Sequence, residues 1–182
     1  APSPITSPVT VHPIPSLSST LTPPAICSGT FTYTAESATS GVSYNWTRAA
    51  IPGITPSTSL GSGNINETLT NNTAAPIEVT YRYTIAAAGC SQVQDVKVIV
   101  KPIPQLSSSL TIPDQCSEGP FSYTPASLVS SPSFTWTMSS PPGISGSAGS
   151  GSGILSETLT SSNTTSTTVT YKYVTSANGC SN

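Results

Sequence analysis

The sequence predicts an all-β protein built from two tandem sandwich modules. Three observations carry this. Thr, Val, Tyr, Phe and Ile alternate with period two and no stretch shows helical periodicity; the chain matches itself along nearly its whole length at an offset of about ninety residues; and four cysteines fall at the same two places in each copy.

The self-match is detailed. "HPIPSLS" from His12 returns as "KPIPQLS" from Lys101, "CSGTFTYT" from Cys27 as "CSEGPFSYT" from Cys116, and "YNWT" around Trp46 as "FTWT" around Trp136. "PGI" at Pro52, "GSG" at Gly61, "ETLT" at Glu67, "VTYRY" at Val79 and "GCS" at Gly89 return in the same order at Pro142, Gly151, Glu157, Val169 and Gly179. The offset changes from 89 to 90 near Glu118–Pro120, where the second copy carries one extra residue. A unit of this size is a whole small domain, not one turn of a solenoid.

In order along the first copy, Phe31, Tyr33 and Ala35 share one face of a strand, with Thr32 and Thr34 opposite. Val42, Tyr44 and Trp46 share another. Ile77, Val79, Tyr81, Tyr83 and Ile85 form the longest apolar row, and Val96, Val98 and Val100 close the module. Six or seven short strands with a central Trp suggest an immunoglobulin-like sandwich, with Trp46, Trp136, Tyr81 and Tyr171 as core anchors. "VTVHPIP" at Val9–Pro15 aligns with "VIVKPIP" at Val98–Pro104, so residues 1–11 read as the last strand of a preceding repeat, 12–101 as the first repeat, and 102–182 as a second repeat without its last strand. The sequence thus reads as a window on a longer array, or as a subunit whose leading strand fills the gap in another molecule. The Lys101–Gln105 connection is short and stiffened by proline, so consecutive modules are expected to stack end to end.

Ninety residues make a small core, and small cores need reinforcement. The economical expectation is one disulfide per module, Cys27 with Cys90 and Cys116 with Cys180. Closing a loop of about 64 residues stabilises by roughly 4 kcal/mol in the chain-entropy model. Four buried free thiols are the alternative. Zinc is disfavoured, because no C-x-x-C pair occurs and His12 is the single histidine.

Disulfides point to an oxidising, extracellular location, and the composition agrees. Only 7% of residues are charged and about a third are Ser or Thr. A net charge of −2 offers no basic footprint for nucleic acid, and no run of eighteen apolar residues would insert this segment in a membrane. No signal peptide opens the sequence.

Catalytic patterns are missing: there is no G-x-S-x-G, G-x-G-x-x-G, Walker loop or H-E-x-x-H, and His12 is replaced by Lys101 in the other copy. The Gly/Ser run from Gly143 to Gly153 reads as a loop, since no helix follows to hold a phosphate. Neither an enzyme nor a cofactor is expected. Glu67 and Glu157 share parity with apolar neighbours (Ile65 and Leu69, Leu155 and Leu159) and so face inward as structural carboxylates, with a calcium ligand as the rival reading. Trp46 and Trp136 could serve as sugar-stacking platforms, but core packing is the favoured role. Outward Thr rows suit solvent-facing strands, with an ice-facing lattice or O-glycan sites as rivals, and N-x-[ST] sequons stand at Asn45, Asn66, Asn71 and Asn163.

"CSG" at Cys27, "YNWT" around Trp46, "GSGNINETLTN" from Gly61, "VTYRYTI" from Val79 and "GC" at Gly89 together resemble the PKD-like and immunoglobulin-like repeats of very large secreted surface proteins of the Bacteroidetes, gliding-motility adhesins among them. The resemblance covers nearly the whole chain twice, without the Gly-Asp-Gly signature of the better-known PKD domain. It implies export, attachment at the cell surface and a role as adhesin, stalk or fibre. The expected partners are neighbouring repeats of the same protein, with self-assembly into a filament by strand exchange, or recognition of surface glycans, as alternatives.

Overall fold

The computed structural model describes residues 7–182. Contacts divide the chain into two compact units, one formed by the chain up to Thr70 with Ile77–Val100, the other by Asn71–Pro76 with Lys101–Asn182. Every regular element among the described residues is a strand.

The first module contains β1 (Ile26–Cys27), β2 (Gly29–Tyr33), β3 (Ser43–Arg48), β4 (Ile54–Thr55), β5 (Ser59–Ser62), β6 (Ile65–Asn71), β7 (Ile77–Ala87) and β8 (Cys90–Lys101). They form a five-stranded sheet in the order β1-β8-β7-β3-β5 and a three-stranded sheet in the order β2-β6-β4. The inner faces meet through aromatic rings: Phe31 stacks on Tyr81 with centroids 5.5 Å apart, and Tyr33 packs on Tyr83 at 5.8 Å. Around these pairs lie Ile65, Leu69, Val79, Ile85, Val96, Val98 and Val100, all buried, as the alternation predicts. Burying each such side chain fully contributes about 1.5–3 kcal/mol, so this row is the main driving force of the module.

Trp46 stands opposite Gly61 across the β3–β5 ladder, and Trp136 opposite Gly151 in the second module. A Cβ added at either glycine would lie 2.5 Å from Cζ2 of the indole. The "GSG" motif is therefore a floor on which the indole lies, and any side chain there would displace it.

The lead-in to the first module is not a strand, yet it follows β8 closely. The His12 carbonyl oxygen lies 4.0 Å from Cys90 Sγ, the Leu17 amide donates to Gln94 Oε1 at 2.6 Å, and the Lys97 amide donates to the Leu21 carbonyl at 2.8 Å. Both sets of numbers rise together, so the lead-in runs parallel to β8. Of the strand expected at residues 1–11, residues 1–6 lie outside the described residues, and residues 7–11 are in no strand, with Val9 and Val11 exposed.

The second module contains β9 (Pro120–Tyr123), β10 (Ser133–Met138), β11 (Ile144–Ser145), β12 (Ser150–Ser152), β13 (Leu155–Thr158), β14 (Thr160–Ser161), β15 (Tyr171–Ala177) and β16 (Cys180–Ser181). Its sheets run β12-β10-β15-β16, β13-β9 and β11-β14. The aromatic contacts return, Phe121 on Tyr171 at 6.1 Å and Tyr123 on Tyr173 at 5.3 Å. One difference is systematic. Ile77, Glu78 and Val79 find ladder partners in Val100, Ile99 and Val98 of β8. Thr167, Thr168 and Val169, which occupy the equivalent places, form no strand, and β15 is seven residues long where β7 has eleven.

The expected disulfides within each module do not form. Cys90 and Cys116 are free thiols, while Cys27 and Cys180 are disulfide-bonded. Geometry explains why Cys27 cannot take Cys90. Phe31 sits at the level of Tyr81, opposite Val96, and Tyr33 at the level of Tyr83, opposite Gln94, so tracing β2 backwards leads toward Val100. Cys27 and Cys90 therefore lie at opposite ends of the sandwich, roughly 30 Å apart at about 3.3 Å per residue, whereas a disulfide spans roughly 4–7 Å between Cα atoms. The same holds for Cys116, which lies beyond Phe121 and away from the hairpin that carries Cys180.

Each of these hairpins turns on two residues with positive φ, Ala88 (49°) with Gly89 (81°) and Asn178 (54°) with Gly179 (80°), the backbone of a type I′ turn. Alanine is strained there, and asparagine is better tolerated. Ala88→Asn is expected to stabilise the first module by about 0.5–1 kcal/mol in urea denaturation followed by tryptophan fluorescence. An unchanged or lower midpoint would contradict the strain.

Candidate functional site

Alternation along β6 turns Glu67 inward between buried Ile65 and Leu69, and alternation along β3 turns Arg48 inward beside Trp46. The two meet. Arg48 Nη2 donates to Glu67 Oε1 at 2.6 Å and Nε to Oε2 at 3.1 Å, while Nη2 and Nη1 also reach the carbonyls of Pro56 (2.8 Å) and Ser57 (3.2 Å). The Tyr81 hydroxyl donates to the same carboxylate, and the guanidinium carbon stands 6.0 Å from the Tyr81 ring centroid. The Arg48 side chain is wholly buried and that of Glu67 nearly so. Burial by itself would raise the Glu67 pKa, but the bonds from Arg48 and Tyr81 outweigh it and hold the carboxyl below its ordinary value. Burial first, and then Glu67, pushes the Tyr81 phenol well above its usual range. With both oxygens of Glu67 engaged by side-chain donors, the arrangement is a closed structural pair and leaves no open coordination position for a cation.

In the second module Met138 stands where Arg48 does, and Glu157 finds other donors. The Tyr171 hydroxyl donates to one carboxylate oxygen, and the Ala148 amide (2.9 Å) and Ser147 hydroxyl (3.4 Å) donate to the other. A loop of the Gly/Ser run thus replaces the guanidinium. Burial, followed by Glu157, raises the Tyr171 pKa as it does for Tyr81.

Trp46 and Trp136 are both buried, their rings edge-on to Tyr81 (5.5 Å) and Tyr171 (5.6 Å), so neither presents a face to a sugar. Tyr81 is fully buried, whereas Tyr171 is only half-buried. The reason lies in a groove of about 670 Å³ in the second module, lined by Cys116, Phe121, Ile144, Leu159, Val169 and Tyr171 among others. Their first-module counterparts Phe31, Ile54, Leu69, Val79 and Tyr81 are buried in one cluster with Val96, Val98 and Val100 of β8. The groove's titratable side chains are Asp114, Cys116 and Tyr171, a set without a base next to a nucleophile or a cluster of metal ligands. Among the described residues, no three of His, Cys, Asp and Glu gather as a metal site, and no helix is long and apolar enough to cross a membrane.

The duplicated sandwich with its inner aromatic rows is the arrangement that the family comparison recognises. The family model of the PKD-like domain matches residues 24–104 and again residues 113–182. The chain belongs to the PKD-like domain family. A search of curated proteins finds no match.

Several details of these PKD-like modules escape a reading of sequence by repeat and composition. Arg48 was detectable: it has the parity of Tyr44 and Trp46, and an inward cation requires an acid. The pairing of indole with glycine was signalled only by the constant spacing of "GSG" after each Trp. Of the four sequons, Asn71, the last residue of β6, is itself buried: its amide donates to the Ala75 carbonyl at 2.8 Å and its Oδ1 accepts from the Thr73 amide at 2.9 Å, so it offers no access for a glycan.

Arg48→Met should destabilise the first PKD-like module by about 3 kcal/mol in chemical denaturation, because it strands Glu67 without its cation in the core. Adding Glu67→Leu to that variant should recover much of the loss, and an additive double variant would refute the pairing. The depressed pKa also sets a pH dependence. Since the folded-state value lies below the unfolded 4.5, the contribution of Glu67 is complete above about pH 4.5 and is lost as pH falls through the folded-state value. Acid titration of stability should therefore steepen below about pH 4.5 in the wild type and flatten in Glu67→Gln.

Proposed function

We propose that this pair of PKD-like modules is a non-enzymatic spacer from a long, secreted surface protein, which carries an adhesive end away from the cell. The proteins it resembles, the large surface proteins of the Bacteroidetes and their gliding-motility adhesins, are the setting this reading favours. The observation that carries it is what the two copies keep and what they exchange. The scaffold is kept: the Trp on its glycine, the inner tyrosines, the structural carboxylate and the cysteine-bearing hairpin turn. Charged and titratable side chains are exchanged, His12 for Lys101 and the buried Arg48 for Met138. A protein selected for a site would hold its reactive groups fixed. One selected for reach repeats the frame and lets the rest vary.

The neighbours of each module in such an array are further copies of the same unit, and the stiff Lys101–Gln105 connection favours stacking over tethering. Arrays of two, four and six modules should lengthen linearly by about 30–40 Å per module in small-angle scattering, from strands of about eight to ten residues. Length that fails to grow with module number would exclude the spacer role, and saturable binding of this two-module chain on a glycan array would replace it with a recognition function.

A further inference from the structure

β5 is the outer strand of the five-stranded sheet, with β3 on one side and no strand of the described residues on the other. The phase of the β3–β5 ladder decides which backbone groups face that open side. The Gly63 amide donates to the Tyr44 carbonyl at 3.0 Å, and the register sets Trp46 against Gly61 and Arg48 against Ser59. Bonded and non-bonded pairs alternate in an antiparallel ladder, so Ser59, Gly61 and Gly63 turn their backbone groups toward β3, and Leu60 and Ser62 turn theirs outward. The second module keeps the phase. There the Gly153 amide donates to the Phe134 carbonyl at 2.9 Å and the Met138 amide to the Gly149 carbonyl at 2.7 Å, so Ser150 and Ser152 face out from β12.

The two edges differ in the side chain at their middle. Leu60 is 80% exposed, where the next most exposed large apolar side chain in a described strand, Val93, is 45% exposed. Ser150 stands at the place of Leu60 in the second module. Sheet edges are commonly guarded by lysine, proline or a bulge. This one has none of them: Ser57 to Asn64 carries neither charge nor proline, and Ser59–Ser62 pairs residue for residue with β3.

We infer that β5 is a self-docking edge, which pairs antiparallel with β5 of a second copy of this chain about a two-fold axis at Leu60. The geometry of the edge selects this occupant. Leu60 presents its N–H and C=O side by side, and the axis returns the C=O and N–H of Leu60 in the second copy, so both groups are satisfied by one identical residue. Ser59 then stands opposite Gly61 of the second copy, Ser62 stands opposite its Thr58, and the two leucines meet on the outer face of one continuous sheet. A shift of one residue would set outward Leu60 against inward Gly61, and a centre on Ser62 would hold the two leucines apart. The uncharged stretch from Ser57 to Asn64 brings no like charges together across the axis. The contact is small, so a single pair is weak and holds firmly only where several such edges act at once.

The test is sedimentation velocity on the full chain from about 10 μM to about 1 mM, with Cys90→Ser and Cys116→Ser as the common background so that free thiols play no part. The chain should pass from monomer to dimer across this range. Leu60→Lys should abolish the dimer, and Leu60→Ser, the residue of the second module, should raise its Kd about tenfold or more. Both variants should keep the urea midpoint of the background chain, because the side chain is exposed, which separates loss of pairing from loss of fold. The register is read by crosslinking with oxidised glutathione. Leu60→Cys should join to itself, across a bonded pair whose Cα atoms stand about 5.5 Å apart. Ser62→Cys should react at least about tenfold more slowly, its two copies being roughly 13 Å apart along the strands. A chain that stays monomeric to about 1 mM overturns the docking, as does a dimer that survives Leu60→Lys. Equal crosslinking at the two positions overturns the register. Neither failure touches the spacer reading, which is decided by the length of longer arrays.

Discussion

The contact of Trp46 with Gly61 on one side and Tyr81 on another is the constraint from which the first module is organised. The indole occupies the volume that a side chain at Gly61 would take, which fixes β5 against β3. It packs edge-to-face with Tyr81, which also stacks on Phe31 of the other sheet, so one aromatic column ties both layers. Tyr81 then carries its hydroxyl to Glu67 and, through Glu67, to Arg48. Polar burial in this core is thereby satisfied from within, by a carboxylate that serves both a phenol and a guanidinium. The second module repeats the column and replaces the guanidinium with loop donors, which shows that the aromatic arrangement is the invariant and the charge partner is the variable.

Comparison of the two modules isolates the contribution of β8. With it, β7 extends to Ile77 and the inner face closes; in the second module Thr167–Val169, at the homologous places, form no ladder and Tyr171 stays partly open. A strand needs a neighbour on at least one side for its hydrogen bonds, and Thr167–Val169 has the residue types for a strand but is paired with none.

Much of this was legible in the sequence. Period-two alternation located the inner rows from Phe31 through Val100, the offset located both modules, and the parity of Glu67 and Glu157 placed them inward. The cysteine pairing was not legible, because equal spacing in both copies does not show which cysteines lie within bonding distance. Only the direction of β2 against β7 and β8 decides the matter, and direction is a tertiary property with no local signature. The Trp–Gly contact was hidden for a similar reason: a glycine reads as a turn former until the ring lying over it is seen.

The parallel course of the lead-in and β8 has a mechanical consequence. Because the chain enters the first module beside Cys90 and leaves it at Lys101, a pull on its two ends acts along both segments in opposite senses. Hydrogen bonds between them are then loaded together, in shear, and cannot peel open one after another. A fold with this entry and exit is suited to bear tension.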